Sequence, residues 1–412
     1  QMCIRDRAER MRTMSGMKIS RRAQRVAPFY AMEFAKKAGA LDAAGHDVIR
    51  LNIGEPDFGA PPAFLAAARE LTDGRPLAYT DALGTSALRE AIAGFYSTHF
   101  GAEVDPGQVA VTSGASAALL LTCAALIDPG DGVIIGDPSY PCNRQFAESF
   151  GADVSLVPTT PAGRFQLTGE LVDDAWTANT RGVIVASPSN PTGTSVPYAD
   201  LVDLCGRVSA RGGWNLVDEI YLGLADPGPD GHPPRSVLAT PGSFHADTVV
   251  INSFSKYFGM TGWRLGWAIL PPDLVEVAER LAQNFYVCPP TPAQLAALSC
   301  FTPESLAVTE DRRRELRNRR RLVLDGLTRI GLPVPVEPDG AFYVYVDVSG
   351  TGLGSAEFCD QALARAHVAL TPGMDFGVAT ADDHIRLSYA ASTAELAEAL
   401  DRLEGFVAGL PG

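Results

Sequence analysis

Between about residues 105 and 270 the sequence alternates short apolar segments with segments of helical length, and this pattern limits the fold more than any other feature. It is typical of a mainly parallel β-sheet that is covered by helices on both faces. The predicted strands are residues 109–112, 133–135, 154–157, 182–186, 214–218, 248–251 and 265–269. The predicted helices between them include residues 116–127, 198–211 and 273–286. In such a sheet, ligands bind beyond the carboxyl ends of the strands.

A chain of 412 residues is longer than one compact core usually supports, so at least two domains are expected. We predict that residues 59–300 form a large α/β domain. Residues 17–58 and 301–412 are predicted to form a smaller α+β domain, in which the mostly helical segment 21–52 packs on the C-terminal part. That part mixes predicted strands (342–346 and 384–388) with predicted helices (356–366 and 393–407). Residues 1–16 are charged, lack the apolar core of a signal peptide and are interpreted as a disordered extension.

One charged segment of the C-terminal region has two interpretations. A helix is predicted from residue 303 to about residue 330, and its arginine-rich part spans residues 312–321. This part could bind an anion, but a helix face exposed to solvent is the interpretation we favour.

Composition and charge exclude several classes of partner. The net charge of −14 argues against a nucleic-acid ligand. No apolar segment approaches the roughly 20 residues of a membrane span, so no membrane partner is expected. The seven cysteines are dispersed and form no CxxC pair, which predicts reduced thiols and a cytoplasmic location. No metal site is expected.

One lysine occupies a position that suits a reactive amine. Lys256 follows the apolar segment 248–251 and lies between small hydroxyl residues. Partial desolvation and cationic neighbours would lower the pKa of its amine and free the nitrogen lone pair to form an imine. Ser253, Ser255 and Arg264 can hold a phosphate dianion nearby. An imine-forming lysine close to a phosphate-binding group is what pyridoxal 5'-phosphate (PLP) requires. The alternative interpretation is a surface turn that contains lysine and arginine.

Two other apolar segments end in residues that suit the ring of this cofactor. Asp218 would pair with a protonated pyridine nitrogen and keep the ring an electron sink, although a helix N-cap is an equal alternative. Tyr221 could donate a hydrogen bond to the ring oxygen. Asn190, within the motif of residues 187–193, could reach the same oxygen or could simply belong to a turn.

Three further motifs each have a functional and a structural interpretation. Residues 112–116 link a strand to a helix start, where backbone N–H groups can bind a phosphate or the helix can simply be capped. Tyr140 follows a strand and could stack on a flat ring or pack in the core. Arg386 alternates with apolar residues on a late strand, and it could bind a substrate α-carboxylate or pair with a nearby acid.

Taken in order, these motifs resemble those of the class I/II (fold type I) PLP-dependent aminotransferases, specifically of the aspartate-aminotransferase-like branch. The resemblance extends from about residue 26 to residue 407 and rests mainly on residues 187–193, 218–221 and 253–266. It implies that residues 59–300 form the PLP-binding domain. It also implies a homodimer with shared active sites.

The resemblance implies a role for each motif residue. Lys256 would be the Schiff-base lysine and proton shuttle, and Asp218 and Tyr221 would complete the catalytic set. The other implied cofactor contacts are Ala115, Ser116, Tyr140, Asn190, Ser253, Ser255, Arg264 and, on the phosphate of the neighbouring subunit, Tyr79. Arg386 would bind the α-carboxylate with the help of Asn190 and the Gly54 backbone.

The sequence departs from the family pattern at both cofactor and substrate positions. Tyr140 stands at the stacking position, where the family often has tryptophan. Ser116 stands where this branch often has lysine, so one charge on the phosphate side would be missing. We identify no second arginine for a dicarboxylate side chain, and that argues against strict aspartate specificity. Residues 285–291 are apolar to neutral and are candidates for the side-chain pocket.

The predicted reaction is ping-pong transfer of an amino group between an L-amino acid and a 2-oxo acid. A PLP-dependent carbon–sulfur β-lyase is the alternative on the same fold, since motifs alone separate these reactions poorly. A DNA-binding regulator on this scaffold would need more residues than the 16 before Met17. A dinucleotide-binding protein would need a GxGxxG motif after its first strand, and the chain has none there.

Overall fold

The computed structural model describes Met17 and residues 19–26, 29–228 and 231–410. The predicted disordered extension, residues 1–16, lies outside the described residues. The strands are β1 (Ile49–Arg50), β2 (Val109–Thr112), β3 (Gly132–Asp137), β4 (Asp153–Pro158), β5 (Thr180–Ala186), β6 (Trp214–Asp218), β7 (Thr248–Ser253), β8 (Gly266–Ile269), β9 (Tyr343–Asp347), β10 (Val368–Ala369), β11 (Thr371–Pro372) and β12 (His384–Ser388). The α-helices are α1 (Arg21–Arg25), α2 (Tyr30–Ala43), α3 (Pro62–Glu70), α4 (Ser86–Phe100), α5 (Ala115–Leu126), α6 (Pro141–Ser149), α7 (Gly169–Ala175), α8 (Tyr198–Ala210), α9 (Pro272–Phe285), α10 (Thr291–Ala297), α11 (Pro303–Ile330), α12 (Ser355–Gln361) and α13 (Thr393–Ala408).

The central sheet has seven strands in the order β2-β8-β7-β6-β5-β3-β4. Strand β8 runs antiparallel to both of its neighbours, and the other pairs are parallel. Every predicted strand of this region overlaps an observed one. The predicted α/β fold with a mainly parallel central sheet is therefore confirmed.

Helices cover both faces of this sheet, which explains why its strands are almost continuously apolar. Alternate residues of β2 show the two faces: Val109 and Val111 belong to one hydrophobic cluster and Ala110 belongs to the other. Strands β2, β7 and β8 are buried along their whole length. A sheet buried on both faces leaves its strand ends as the places where polar side chains can gather.

A second, smaller group of strands combines the C-terminal part of the chain with β1 from the N-terminal segment. Strands β11, β12 and β9 form an antiparallel sheet, and β1 pairs with β10 in parallel. The backbone N–H groups of Tyr30 and Ala31 donate to the Asp375 carboxylate at 2.8 and 3.0 Å. The N-terminal segment thus contacts the C-terminal part, as predicted, and the exact domain boundaries stay a prediction.

Two local features differ from the sequence prediction. The mainly helical segment 21–52 ends in strand β1, because Ile49 and Arg50 find a partner strand more than 300 positions along the chain, at Val368 and Ala369. The helix predicted at residues 356–366 is α-helical only up to Gln361 and continues as a π-helix from Ala362 to Ala366.

The arginine-rich part of α11 is not a purely solvent-exposed face, so that interpretation was wrong in part. Arg319 and Arg320 are only 7% and 9% exposed. Arg319 pairs with Asp57 at 2.8 Å, and Arg320 pairs with Asp226. Arg314 on the opposite side is 67% exposed. These two arginines face inward because they pair with carboxylates from distant loops.

Three observations concern membrane-spanning helices, cysteines and metal ligands. Within the described residues, no helix is both long enough and apolar enough to cross a bilayer. The six described cysteines are all free thiols. In the same part of the chain, no three His, Cys, Asp or Glu side chains converge in a way that could hold a metal ion.

Candidate active site

A cavity of about 260 Å³ lies at the edge of the central sheet where the parallel strands end. Segments that follow β2, β3, β5, β6 and β7 contribute to its walls, together with the segment that precedes the antiparallel strand β8. Of the thirteen predicted site residues, the structure brings these eleven together in the lining: Gly54, Ala115, Ser116, Tyr140, Asn190, Asp218, Tyr221, Ser255, Lys256, Arg264 and Arg386. Ser253 and Tyr79 are not in the lining.

Lys256 projects into this cavity directly after β7. Its Nζ donates a hydrogen bond to the Gly54 carbonyl at 2.7 Å. The pKa of the amine falls from 10.5 to about 8, mainly because of desolvation; Glu55 and Asp218 oppose this decrease, and Arg386 and Arg264 contribute to it. Near pH 8 a large fraction of the amine is therefore neutral and can act as a nucleophile or a base. Lys256 thus lies half-buried in a cavity and not in a surface turn.

Asp218 ends β6 and lies 5% exposed in the cavity wall. Its Oδ1 accepts a hydrogen bond from the Ile220 N–H at 3.0 Å, and among the described residues it forms no ion pair. Burial raises the pKa of this carboxyl from 3.8 to about 6. Asp218 does not cap a helix, because the short 3₁₀-helix that follows has Tyr221 as its N-cap. A buried acid without a cation fits a ligand that brings a protonated ring nitrogen.

Arg386 lies on β12 and is 2% exposed. Its guanidinium donates to the Asn190 side-chain oxygen at 2.8 Å and to the Asn52 carbonyl at 2.7 Å. Its Nε has no hydrogen-bond partner, and no described carboxylate forms an ion pair with it. The alternative of an ion pair with a nearby acid was therefore wrong. A buried guanidinium that lacks a counter-charge is suited to bind a carboxylate.

A tyrosine that sequence reasoning missed connects Arg386 with Tyr221. The Tyr343 hydroxyl lies 2.9 Å from the Tyr221 hydroxyl, and its ring centroid lies 4.5 Å from the Arg386 guanidinium carbon. A side chain on Gly54 would place its Cβ 1.9 Å from the Tyr343 hydroxyl oxygen, so only glycine fits at residue 54. Within an apolar strand, nothing in the sequence distinguishes Tyr343 from an ordinary core aromatic.

The start of helix α5 and the segment before β8 form one wall. Gly114 is the N-cap of α5, and no side chain caps this helix, so its first N–H groups are open to an anion. A Cβ on Gly114 would lie 2.7 Å from the Arg264 guanidinium, which shows how closely Arg264 approaches the helix start. The Ser253 hydroxyl, outside the lining, donates a hydrogen bond to the Ser255 hydroxyl at 2.9 Å. These groups could hold a phosphate.

The two predicted residues not yet described are Tyr140 and Tyr79. Tyr140 lines the cavity and contacts Phe29 edge to face, with ring centroids 6.3 Å apart. Tyr79 is 83% exposed and lies in a loop whose Ala78 carbonyl accepts a hydrogen bond from the Thr291 hydroxyl at 2.8 Å. Residues 285–291 do not line the cavity of their own chain.

The N-terminal segment contributes lining residues that sequence reasoning also missed. Phe29, Ala31 and Met32 face the cavity. They come from helix α2 and from the residue before it, and no motif marks them. Ile53 and Glu55, on either side of the predicted Gly54, also line the cavity.

Comparison with known proteins agrees with this geometry. Residues 46–403 match the family described as aminotransferase class I and II. The chain belongs to this family. The valine–pyruvate aminotransferase of Mycobacterium tuberculosis is 40% identical over 92% of this chain and 96% of its own.

Two solved structures resemble this aminotransferase along nearly its whole length. An aminotransferase from Mycobacterium tuberculosis has a TM-score of 0.89 at 38% identity and covers 95% of this chain and 99% of its own. An aspartate aminotransferase from Thermus thermophilus, solved with maleate, has a TM-score of 0.87 at 35% identity and covers 95% and 100%. The predicted family, enzyme class and fold type are confirmed.

The cofactor of this aminotransferase family is PLP. The residues present fit it: Asp218 is a buried acid that forms no ion pair among the described residues, and Arg264 with the uncapped start of α5 offers an anion site. Lys256 lines the same cavity. The enzyme therefore transfers amino groups between amino acids and 2-oxo acids, and the comparisons give no evidence for a lyase.

Proposed function

We propose that this aminotransferase acts on neutral, mainly aliphatic L-amino acids, with Arg386 holding the substrate α-carboxylate and Lys256 moving the Cα proton. The observation that carries the proposal is the buried Arg386 guanidinium, which lacks a carboxylate partner among the described residues and shares its cavity with Lys256.

Each of the chain's own groups then has one task in the reaction. When bound, PLP supplies an electron sink for the electrons of the substrate Cα–H bond. Lys256, whose pKa is lowered to about 8, accepts the Cα proton and returns it later in the reaction. Asp218 supplies the negative charge that keeps a ring nitrogen protonated. Tyr221 and Asn190 are the proposed donors to the ring oxygen.

The cavity lining favours substrates without a charged side chain. Its described cations are Lys256, Arg264 and Arg386, and each of them already has a task. A side-chain carboxylate would meet no further cation of this chain, and Glu55 in the lining would repel it. Apolar walls come from Phe29, Met32, Ile53 and Leu119. The similarity to a valine–pyruvate aminotransferase supports the same class of donor.

A donor panel tests this proposal. The purified PLP-loaded enzyme is titrated with valine, leucine, alanine, phenylalanine and aspartate, and the visible band of the bound cofactor is followed. We expect valine or leucine to exceed aspartate in kcat/KM by at least about tenfold, since the missing cation costs binding of a second carboxylate. The band should return on addition of a 2-oxo acid. Release of ammonia instead would favour the β-lyase.

A pair of variants at one position sharpens the test of the missing charge. Ile53→Lys places a cation on the apolar part of the cavity wall, and Ile53→Met adds a side chain of similar length without a charge. We expect the lysine variant alone to gain activity with aspartate relative to valine. An equal change in both variants would mean that shape, not charge, decides donor choice.

We propose that the active enzyme is a homodimer with shared sites, in which Tyr79 reaches the phosphate of the partner. Exposed apolar side chains support this proposal, because contiguous apolar surface usually marks an interface. Leu77 and Tyr79 are 41% and 83% exposed, and Phe285 and Val287 are 55% and 49% exposed. The two segments are connected by the hydrogen bond between Thr291 and Ala78.

Mixing two defective variants tests whether the sites are shared. A mixed dimer contains one Lys256→Ala chain and one Tyr79→Ala chain. One of its two sites then has Lys256 from the second chain and Tyr79 from the first, and is intact. After exchange of subunits, we expect recovery to about a quarter of the wild-type sites, since half of the dimers are mixed and each holds one intact site. Sedimentation gives the oligomeric state. A monomer, or mixed dimers without any recovery, would contradict sharing.

We also infer a cytoplasmic location. The six described cysteines are free thiols, and four of them are buried. Free thiols are typical of reducing compartments. Cell fractionation that places the enzyme in an oxidising compartment would contradict the inference.

A further inference from the structure

Two buried tyrosines of the cavity lining share a single hydrogen bond. Tyr221 and Tyr343 are 5% and 1% exposed, and their hydroxyl oxygens lie 2.9 Å apart. Within the described part of the chain, neither hydroxyl has another hydrogen-bond partner. A hydroxyl carries one proton, so the tyrosine that donates to the other has no proton left for a ligand. The direction of this bond therefore decides which of the two can donate into the cavity.

The two phenols have different charged neighbours. The ring centroid of Tyr221 lies 5.9 Å from Lys256 Nζ, so Tyr221 lies beside the amine that would hold the cofactor. The ring centroid of Tyr343 lies 4.5 Å from the Arg386 guanidinium carbon. Burial raises the pKa of the Tyr343 hydroxyl, and the charge of Arg386 opposes this rise. A cation over the ring draws electron density from the phenol, which makes its hydroxyl a stronger hydrogen-bond donor.

We propose that Tyr343 is a positioning residue whose hydroxyl donates to Tyr221, so that the Tyr221 proton stays free for the ring oxygen of the cofactor. The inference rests on the proposed function, in which Tyr221 donates to that oxygen. In the opposite direction, the bond would use the Tyr221 proton and leave the Tyr343 proton without an acceptor among the described residues. A hydroxyl that accepts one hydrogen bond also becomes a stronger donor in the next one.

The contacts around the two tyrosines hold their hydroxyls together. A Cβ on Gly54 would lie 1.9 Å from the Tyr343 hydroxyl oxygen, so this hydroxyl lies directly against the Gly54 backbone. The rings of Tyr343 and Tyr221 meet edge to face, with centroids 5.7 Å apart. Phe342 meets Tyr221 in the same way at 5.5 Å. The hydroxyl pair is therefore a feature of the folded chain itself, before any ligand binds.

A pH titration of the PLP-loaded enzyme, without substrate, tests the direction of the bond. A donor to the ring oxygen disperses its negative charge and lowers the pH midpoint of the visible band of the bound cofactor. Tyr221→Phe should raise this midpoint by about 1–2 pH units, as expected for loss of a hydrogen bond to a charged oxygen. Tyr343→Phe, which keeps the ring beside Arg386, should raise it by about half a unit. The control is Tyr345→Phe on the same strand, which removes a buried hydroxyl that contacts Thr380 at 2.9 Å outside the lining, and it should leave the midpoint unchanged.

The sign of the Tyr343→Phe shift and its dependence on Tyr221 decide the outcome. If Tyr221 donated to Tyr343 in the wild type, removal of the Tyr343 hydroxyl would free the Tyr221 proton and lower the midpoint, which would overturn the proposal. If Tyr343 acts through Tyr221, its shift should vanish in the Tyr221→Phe background, and an equal shift in both backgrounds would overturn the proposal as well. A wild-type midpoint in Tyr221→Phe alone would refute the role of Tyr221 in the proposed function, and this inference with it.

Stability of the apoprotein tests the hydroxyl pair without the cofactor. Tyr221→Phe and Tyr343→Phe should each lower the denaturant midpoint, because each leaves the other hydroxyl buried without its partner. The double variant should lose less than the sum of the two single losses, since the second substitution removes a hydroxyl that is already unpaired. Strictly additive losses would show that the two hydroxyls do not interact, and the proposal would be overturned.

Discussion

Arg386 and Arg319 are both buried arginines, but only one of them has a counter-charge. Arg319 is 7% exposed, pairs with Asp57 at 2.8 Å and donates to the carbonyls of Ala390 and Ala391. Arg386 is 2% exposed and contacts an amide oxygen, a backbone carbonyl and two aromatic rings, but no described carboxylate pairs with it. A buried cation without a counter-charge is costly, so its retention indicates a ligand that supplies the charge.

The same contrast holds for two acids. Asp226 receives both Arg317 and Arg320 from helix α11, and it links that helix to the loop after β6. Asp218 forms no ion pair among the described residues and faces the cavity. Charged side chains with an ion-pair partner in the chain stabilise the fold, whereas the proposed partners of Asp218 and Arg386 are the cofactor and the substrate. Variants in these two groups should therefore differ in whether they affect activity or stability.

Lys256→Ala should have the largest effect on activity. Loss of the amine removes the proposed base, so we expect kcat/KM to fall by at least about 10⁴-fold. Steady-state transamination and the visible absorbance of the bound cofactor measure the effect. Lys256→Arg is the control, because it keeps the charge but cannot deprotonate, and it should be equally inactive. Stability of the apoprotein should not fall, and a large loss would mean that Lys256 belongs with the paired charges.

Asp218→Asn should come next, with a decrease in kcat of about 10²–10³-fold, the usual range when a preorganised charge is removed. Cofactor absorbance confirms that the variant is loaded before the rate is measured. Asp226→Asn is the matched structural acid, and it should lower the free energy of unfolding while leaving kcat within a few-fold of wild type. Near-wild-type turnover in Asp218→Asn would remove its assigned role.

Arg386→Ala should lower kcat/KM for every amino donor alike by about 10²-fold, through KM, because a buried charge pair with the α-carboxylate is lost. Arg386→Lys should recover little, since an ammonium cannot reproduce the planar fork. Kinetics with three unrelated donors provide the measurement. A decrease confined to one donor would assign Arg386 to a side chain of the substrate instead of its α-carboxylate.

Arg319→Ala should have the smallest effect on activity and the clearest effect on stability. It leaves the Asp57 carboxylate and the Ala391 carbonyl without this donor, so the free energy of unfolding should fall by about 2–4 kcal/mol. Chemical denaturation of the apoprotein measures this decrease, and Arg314→Ala, at an exposed position of the same helix, is the control. If Arg319→Ala instead reduced kcat as strongly as Arg386→Ala, the comparison between the two arginines would fail.

Most of the sheet and of the cavity was predictable because both depend on local pattern. Buried parallel strands have short apolar segments, and their ends meet at one edge, so residues such as Asp218 and Lys256 could be placed together. The roles of these residues stay predictions until variants are measured. The β8 strand was also found, although its reversed direction was not foreseen.

What the sequence did not reveal depends on contacts between distant segments. The Tyr221–Tyr343 hydrogen bond spans 122 positions, and the Arg319–Asp57 pair spans 262. Neither partner has a local signal, since Tyr343 lies in an apolar strand and Arg319 lies in a run of arginines. Whether a charged side chain has an ion-pair partner depends on the tertiary structure. This difference separates the proposed binding residues from the structural ones.

The position of β8 in the sheet links the proposed phosphate site to the order of synthesis. The uncapped start of α5 follows β2 early in the chain, and Arg264 reaches it only when β8 inserts between β2 and β7. A nascent chain that has not yet produced β8 lacks the contribution of Arg264 to this proposed site. PLP present during refolding should therefore stabilise only those molecules whose last central strand has docked, and so select completed sheets from partly folded ones.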